Sequence, residues 1–232
     1  MKILAVSDEV CEAIYTPTLK RKYPDVDLVV GCGDLPYYYL EFIVNALDVP
    51  LYYVHGNHDR HAQYMSDGRT VYRAEGCVEI DDRTATVPVG PAAASQPAAG
   101  SPKTPAAAGP VLLLGGLGGC LRYNNDGQHQ YTQDEMHLRA FRLSPALVAN
   151  RLRYGRYLDI MVTHAPPRGI HDRPTRAHTG IDAFLWLMRV FRPRYLLHGH
   201  THRYRQDVPP MSRYLETDVL NVYPYRVFEW KA

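Results

Sequence analysis

The chain has 232 residues, 46% of them apolar, which suits one sizeable α/β core or two small ones and excludes a disordered or fibrous chain. A net charge of +2 provides no strong one-signed field, so composition carries no mark of general nucleic-acid or membrane-surface binding. Cys11, Cys32, Cys77 and Cys120 form no CxxC pair, which argues against a zinc knuckle or redox motif and for small buried thiols in a reducing cytosol.

The opening KILAVSD has an apolar run that meets Ser7 and Asp8 too soon for a signal-peptide core, and it reads as a buried strand. Residues 12–22 have the length and mixed polarity of a crossover helix. DLVVGCGD is a second strand ending at Asp34, residues 38–47 a second helix, and LYYVHGNHD a third strand ending in Asn57, His58 and Asp59. A βαβαβ start of this kind implies a parallel sheet. Within residues 84–110, 18 of 27 are Ala, Pro or Gly and Lys103 is the only charge. Such a run buries too little apolar surface to offset its ordering entropy, and it reads as a disordered or extended insertion. Because GCVEI before it and VLLLGGLGG after it look like strands, it is a hairpin-type connection within one domain spanning 1–232.

Residues 132–154 predict a helix with an apolar stripe of Met136, Ala140, Leu143, Leu147 and Leu152, broken or kinked near Pro145. YLDIMVTHAPP is a further strand delivering His164, residues 181–191 an apolar helix, and RYLLHGHTH a strand with His200 and His202 at its tip. Alternation over 213–230 predicts short edge strands. No stretch approaches the ~18 apolar residues of a membrane span, so the expectation is a soluble, cytoplasmic protein.

Ligands of open α/β sheets bind beyond the carboxyl ends of the strands, so Asp8, Asp34, Asn57, His58, Asp59, His164, His200 and His202 can converge although far apart in sequence. Any one of them alone reads as a turn or capping residue; the set reads as a metal site. Mixed oxygen and imidazole donors suit Mn, Fe, Zn or Co better than calcium.

The ordered motifs GD at 33–34, GNHD at 56–59, TH at 163–164 and GHTH at 199–202 resemble those of the calcineurin-like metallophosphoesterases, over nearly the whole chain outside the Ala/Pro tract. The resemblance implies a four-layer α/β/β/α sandwich of two mixed sheets. It also implies two divalent ions, Mn²⁺ first with Fe or Zn as alternatives. Asp34 then bridges them, Asp8 and His202 belong to one, and Asn57, His164 and His200 to the other. Two such ions less two carboxylates and a bridging hydroxide leave a charge of about +1, which attracts a phosphate ester, monoester or diester. The implied chemistry is in-line attack by that hydroxide, with His58 protonating the leaving oxygen and Asp59 orienting or charge-stabilising the His58 imidazole.

One departure stands out. The family's first motif is DxH, and here Val10 occupies the place of the histidine. Valine cannot ligate, so the first metal lacks a nitrogen donor; Glu9 and Glu12 are nearby, although strand alternation turns Glu9 away. The tract PPRGIHDRPTRAHTG, with Arg168, His171 and His178, either lines the substrate side, where its cations meet phosphate oxygens, or is a solvated loop. Tyr37, Tyr38 and Tyr39 either stack on an aromatic leaving group or pack internally. His55, His61, His129 and His137 have no motif support and read as surface or core histidines. The alternative to an enzyme is a catalytically silent scaffold of the same fold acting in protein–protein interaction, toward which the loss at Val10 is a step. A nucleic-acid module is disfavoured by the near-neutral charge.

Overall fold

The computed structural model describes residues 1–64, 68–90, 109–124, 127–202 and 210–231. In chain order the elements are β1 (Lys2–Val6), α1 (Leu19–Lys22), β2 (Leu28–Cys32), α2 (Tyr37–Leu47), β3 (Leu51–Val54), β4 (Gln63–Tyr64), β5 (Thr70–Val71) and β6 (Val78–Glu79). There follow β7 (Arg83–Pro88), β8 (Val111–Leu117), β9 (Cys120–Leu121), β10 (Gln130–Tyr131), α3 (Gln133–Tyr154) and β11 (Ile160–Thr163). The last are α4 (Asp182–Phe191), β12 (Tyr195–His198), β13 (Met211–Tyr214), β14 (Thr217–Asn221) and β15 (Tyr225–Glu229).

Two mixed sheets carry the structure. One has the order β15-β1-β2-β3-β6, parallel except for β15; the other has the order β13-β14-β12-β11-β8-β7, parallel except for its two edge strands. Strand alternation divides the apolar side chains between layers. Ile3, Ala5, Leu28, Val30 and Val54 of the first sheet meet Leu112, Leu114, Ile160, Val162 and Leu197 of the second in the central core. Leu4, Val6, Val29 and Tyr53 point the other way, onto Leu40, Ile43 and Leu47 of α2. On the far side Met161, Leu196 and Val219 pack under Leu143, Leu147, Phe184 and Leu187 of α3 and α4. The result is the four-layer α/β/β/α sandwich, and burial on both faces explains why the strands read as near-continuous apolar runs.

Several local expectations are corrected. Residues 12–22 give only the single turn of α1, because Pro17 disfavours helical geometry at Thr16 and blocks propagation from the N-terminal side. The Ala/Pro-rich reading of 84–110 begins too early. Thr84, Thr86 and Val87 are β-branched and belong to β7, whose Arg83–Pro88 pairs in antiparallel register with β8 from Gly116 to Val111, burying Val87. Residues 91–108 of that tract lie outside the described residues. β14 is an interior strand, held between β12 and β13.

Helix α3 begins at a capping box, Thr132 accepting from the Glu135 N–H and Glu135 accepting from the Thr132 N–H, and ends at Gly155 with φ 76°. It runs through Pro145 unbroken, and Leu152, predicted in its core stripe, is 84% exposed.

The β7–β8 ladder continues one step beyond the strands, where the Val89 N–H donates to Pro110 O at 2.9 Å. Excising residues 91–108 therefore leaves Gly90-Gly109 as a two-residue hairpin turn, a sequence suited to primed turn geometry. The excised protein is expected to remain folded, with stability unchanged or raised by up to about 2 kcal/mol through the shorter loop, measured by urea unfolding. Insoluble or non-cooperatively unfolding protein would show that the tract packs on the sandwich.

Candidate metal centre and active-site cleft

The parallel strands of both sheets end at one edge of the sandwich, and the chemically distinctive residues sit just past those ends. Asp8 follows β1, Asp34 follows β2, Asn57 follows β3, His164 follows β11, and His200 and His202 follow β12. Asp8, Asp34 and His200 have left-handed backbones, with φ of 69°, 57° and 61°. These turns, which non-glycine residues rarely adopt, redirect the side chains into the space between the sheet edges. Close approach also explains two motif glycines. A Cβ on Gly33 would lie 2.7 Å from His164 Nδ1, and one on Gly56 would overlap the Asp34 carboxylate.

Four acceptor atoms meet there. His164 Nε2 lies 3.0 Å from Asn57 Oδ1, 3.1 Å from His200 Nδ1 and 3.3 Å from Asp34 Oδ2. The opposite ring nitrogens bond to carbonyls, which can only accept: His164 Nδ1 donates to Cys32 O at 2.8 Å, and His200 Nε2 donates to Ala177 O at 2.7 Å. Those bonds aim the remaining nitrogen of each ring inward, as outer partners of metal-binding histidines do. Asn57 is oriented likewise, its amide NH₂ donating to Tyr123 OH at 3.2 Å. Three acceptors, Asn57 Oδ1, Asp34 Oδ2 and His200 Nδ1, thus crowd His164 Nε2, an arrangement answered by a proton on that nitrogen or by a cation, and the mixture of carboxylate, amide and imidazole fits a divalent transition metal.

The electrostatics agree. Burial opposes ionisation of Asp34, yet His164 and the His58 N–H, which donates to Asp34 at 2.7 Å, outweigh it and hold the carboxyl well below its usual range. Burial would likewise lower His164, but Asp34 reverses this and raises it to about 10. His200 is pushed down to about 4 by burial and by its neighbour His164. The negative field that favours a proton on His164 also favours a metal ion, which displaces that proton on binding.

The second position is less complete. His202 Nε2 lies 3.5 Å from Asp8 Oδ1, and the Asp8 oxygens also accept from the His200 N–H at 3.0 Å and from the Ser7 hydroxyl. Val10 does not line the cleft; it is half-buried against the apolar cluster on the outer face of the first sheet. Glu9 accepts from Tyr223 OH at 2.8 Å, and the Tyr223 ring stacks on His202 with centroids 4.5 Å apart, so Glu9 supports His202 through an aromatic neighbour.

The cleft has a volume of about 330 Å³ and is lined by Asp8, Asp34, Asn57, His58, Tyr123, His178, His200 and His202 among others. His58 is exposed within it. Among the described residues no hydrogen bond joins Asp59 to His58. The Asp59 oxygens accept the backbone N–H groups of Gly56 at 2.7 Å, Asp34 at 2.9 Å and Leu35 at 3.0 Å, so it clamps the Asp34 turn to the Asn57 turn, and burial beside Asp34 raises its pKa to about 6. Of the loop residues, His178 lines the cleft, Arg168 is exposed away from it, and His171 is buried between His198 Nε2 and Ser212 Oγ, each at 2.8 Å. Tyr37 and Tyr39 are packed internally, Tyr38 lies against Tyr15 at the surface, and none of the three lines the cleft. Tyr123 and the carbonyls of Cys32 and Ala177 were not legible beforehand, since backbone acceptors and a lone tyrosine carry no motif.

His55 belongs to a second polar cluster behind the Asn57 turn. Its Nδ1 lies 2.8 Å from Asp81 Oδ2, its Nε2 3.1 Å from Tyr37 OH, and its ring stacks on His129. Asp81 also takes the N–H groups of His55 and Gly118 and faces Arg139. These partners occupy both nitrogens and both oxygens, so the cluster is closed where the Asp34 cluster is open.

The calcineurin-like phosphoesterase family model matches residues 1–204, and the chain belongs to that family. No curated protein matches it. It is similar in fold to the crystal structure of TT1561 of Thermus thermophilus, with 14% identity and a TM-score of 0.56, covering 95% of this chain and 88% of that one. A second solved structure is 13% identical with a TM-score of 0.54, covering 97% and 93%. Family membership points to metal-dependent phosphoester hydrolysis. Among the described residues no helix is long and apolar enough to cross a membrane.

Two measurements follow. Asp59→Asn should cost about 1–3 kcal/mol in chemical denaturation by weakening a buried acceptor of three N–H groups, while the dependence of rate on leaving group stays as in the wild type. Mn²⁺ at about 100-fold over its Kd should stabilise the protein by ~2.7 kcal/mol, seen as a raised Tm that EDTA reverses. Asp34→Asn should abolish most of that shift.

Proposed function

We propose that the protein hydrolyses a phosphate ester, monoester or diester, with two divalent cations, Mn²⁺ first, and with His58 as the proton donor. The observation that supports this best is the open cluster of acceptors, His164 Nε2, His200 Nδ1, Asn57 Oδ1 and Asp34 Oδ2, whose tautomers and amide orientation are set by partners behind them. Asn57, His164, His200 and Asp34 would hold one ion; Asp34, Asp8 and His202 would hold the other. Bound divalent ions supply Lewis acidity and a water ionised near neutral pH.

The protein's own groups do the rest. Asp34 is pinned by the His58 N–H, so the turn that presents a metal ligand also sets the position of the proton donor. The His58 imidazole stands exposed on the cleft wall beside Asn57, where it reaches a leaving-group oxygen. His178, whose Nδ1 bonds Thr175 Oγ1 at 2.7 Å, stands opposite, where it meets phosphoryl oxygens.

A second reading, the catalytically weak scaffold, is favoured by one observation: Val10 packs outward and leaves the Asp8–His202 position short of a ligand. Metal titration separates the two. The enzyme reading expects one tight and one weaker ion, with hydrolysis rising as the weaker position fills; binding without hydrolysis of any phosphomonoester or diester leaves the scaffold. For the enzyme, His58→Ala should lower kcat by ~10²- to 10⁴-fold at unchanged metal content, with a smaller loss for leaving groups of low pKa. An equal loss across leaving groups would remove His58 from the acid role.

A further inference from the structure

Helix α3 carries apolar residues on two opposite faces. Met136, Ala140, Leu143 and Leu147 are buried against the second sheet. Leu138, Phe141, Val148 and Leu152 are 50%, 64%, 46% and 84% exposed, and Pro145 between them is exposed as well. Their spacing of three, four, three and four residues is the heptad seam of a helix that packs on another helix. At 3.6 residues per turn the five fall within roughly 80° of arc, opposite the core face. Large apolar side chains aligned this way on a solvent face are unlike the scattered exposure that any surface shows.

We propose that this stripe is a self-association surface, on which α3 of a second copy packs antiparallel across a two-fold axis at Pro145. Two features select the occupant. The stripe is nearly symmetric about Pro145, so antiparallel packing sets Leu138 of one copy against Leu152 of the other and Phe141 against Val148. Charge agrees: the first turn carries Asp134, with Glu135 beside it paired to Arg122, the last carries Arg151 and Arg153, and antiparallel packing brings each acidic end to a basic one while opposing the helix dipoles. A parallel pair would align like charges. The tract 91–108 is a poor occupant, for it has no Leu, Ile, Val, Met or aromatic side chain with which to fill the seam.

The helix face is about 33 Å by ~10 Å, less than the ~800 Å² per partner of a standard stable interface, so the dimer is concentration-dependent. In sedimentation equilibrium the full chain should pass from monomer to dimer by ~100 µM, and Leu152→Arg or Phe141→Glu should weaken dimerisation at least ~10-fold. Both side chains face solvent, so circular dichroism and metal content should match the wild type. For orientation, Pro145→Cys should be cross-linked between copies by a short bismaleimide well above the unmodified chain, and Leu138→Cys should not unless mixed with Leu152→Cys. A full chain that stays monomeric, variants that dimerise as the wild type does, self-linking of Leu138→Cys, or dimers that form only after excision of 91–108 would each overturn the proposal.

Discussion

The Asp34 carboxylate joins the two halves of the sandwich at their functional edge. It leaves the first sheet after β2, accepts the His58 N–H from the turn after β3, and faces His164, which belongs to the second sheet. A buried carboxylate is costly unless its charge is met, and here the compensation comes from imidazole or from a cation. Much of the local architecture serves that placement. Gly33 and Gly56 clear space for it, the left-handed backbone at Asp34 turns it inward, and Asp59 ties the two turns together from behind. The apolar layers supply a rigid base for the strand ends, so that ligands far apart in sequence meet within hydrogen-bonding distance.

Among the described residues two clusters bring imidazole and carboxylate together, and hydrogen-bond accounting distinguishes them. In the His55–Asp81 cluster each nitrogen and oxygen has a partner, among them backbone N–H groups of β8's end and of His55 itself. Such a network holds the end of β3 in place. In the cluster around His164 the outward nitrogens are held by backbone carbonyls, while the inward ones face one another, Asn57 Oδ1 and Asp34 Oδ2 across the cleft, where a single cation could take the place of the proton on His164. Residue type alone could not have separated the two.

The Asp8–His202 side of the cleft is less complete than the cluster around His164, for a steric reason. The backbone at Asp8 turns left-handed, and Val10 then packs onto the outer apolar layer. Asp8 remains, held by the His200 N–H and Ser7, and His202 remains, supported by Tyr223 and by Arg173, which donates to the His202 carbonyl at 2.9 Å.

By itself the sequence determined an α/β architecture with a parallel sheet, because apolar runs buried on both faces alternate with mixed-polarity connectors, while the four-layer order followed from the resemblance of its motifs; it also determined the metal-binding candidates, because GD, GNHD and GHTH follow directly on strands. Tertiary structure decided what local pattern does not encode. Thr84 to Val87 became a strand because β8 offered an edge to pair with, although their composition resembled the tract that follows. Asp59 turned from His58 to three backbone N–H groups that come together only when β2 and β3 lie side by side. His171 left the cleft for His198 and Ser212, and His55 found Asp81 across 26 residues. Leu152 is apolar and helical, but whether such a residue faces a core or a neighbour depends on which side of α3 the second sheet occupies, a relation between elements that no single stretch of chain contains.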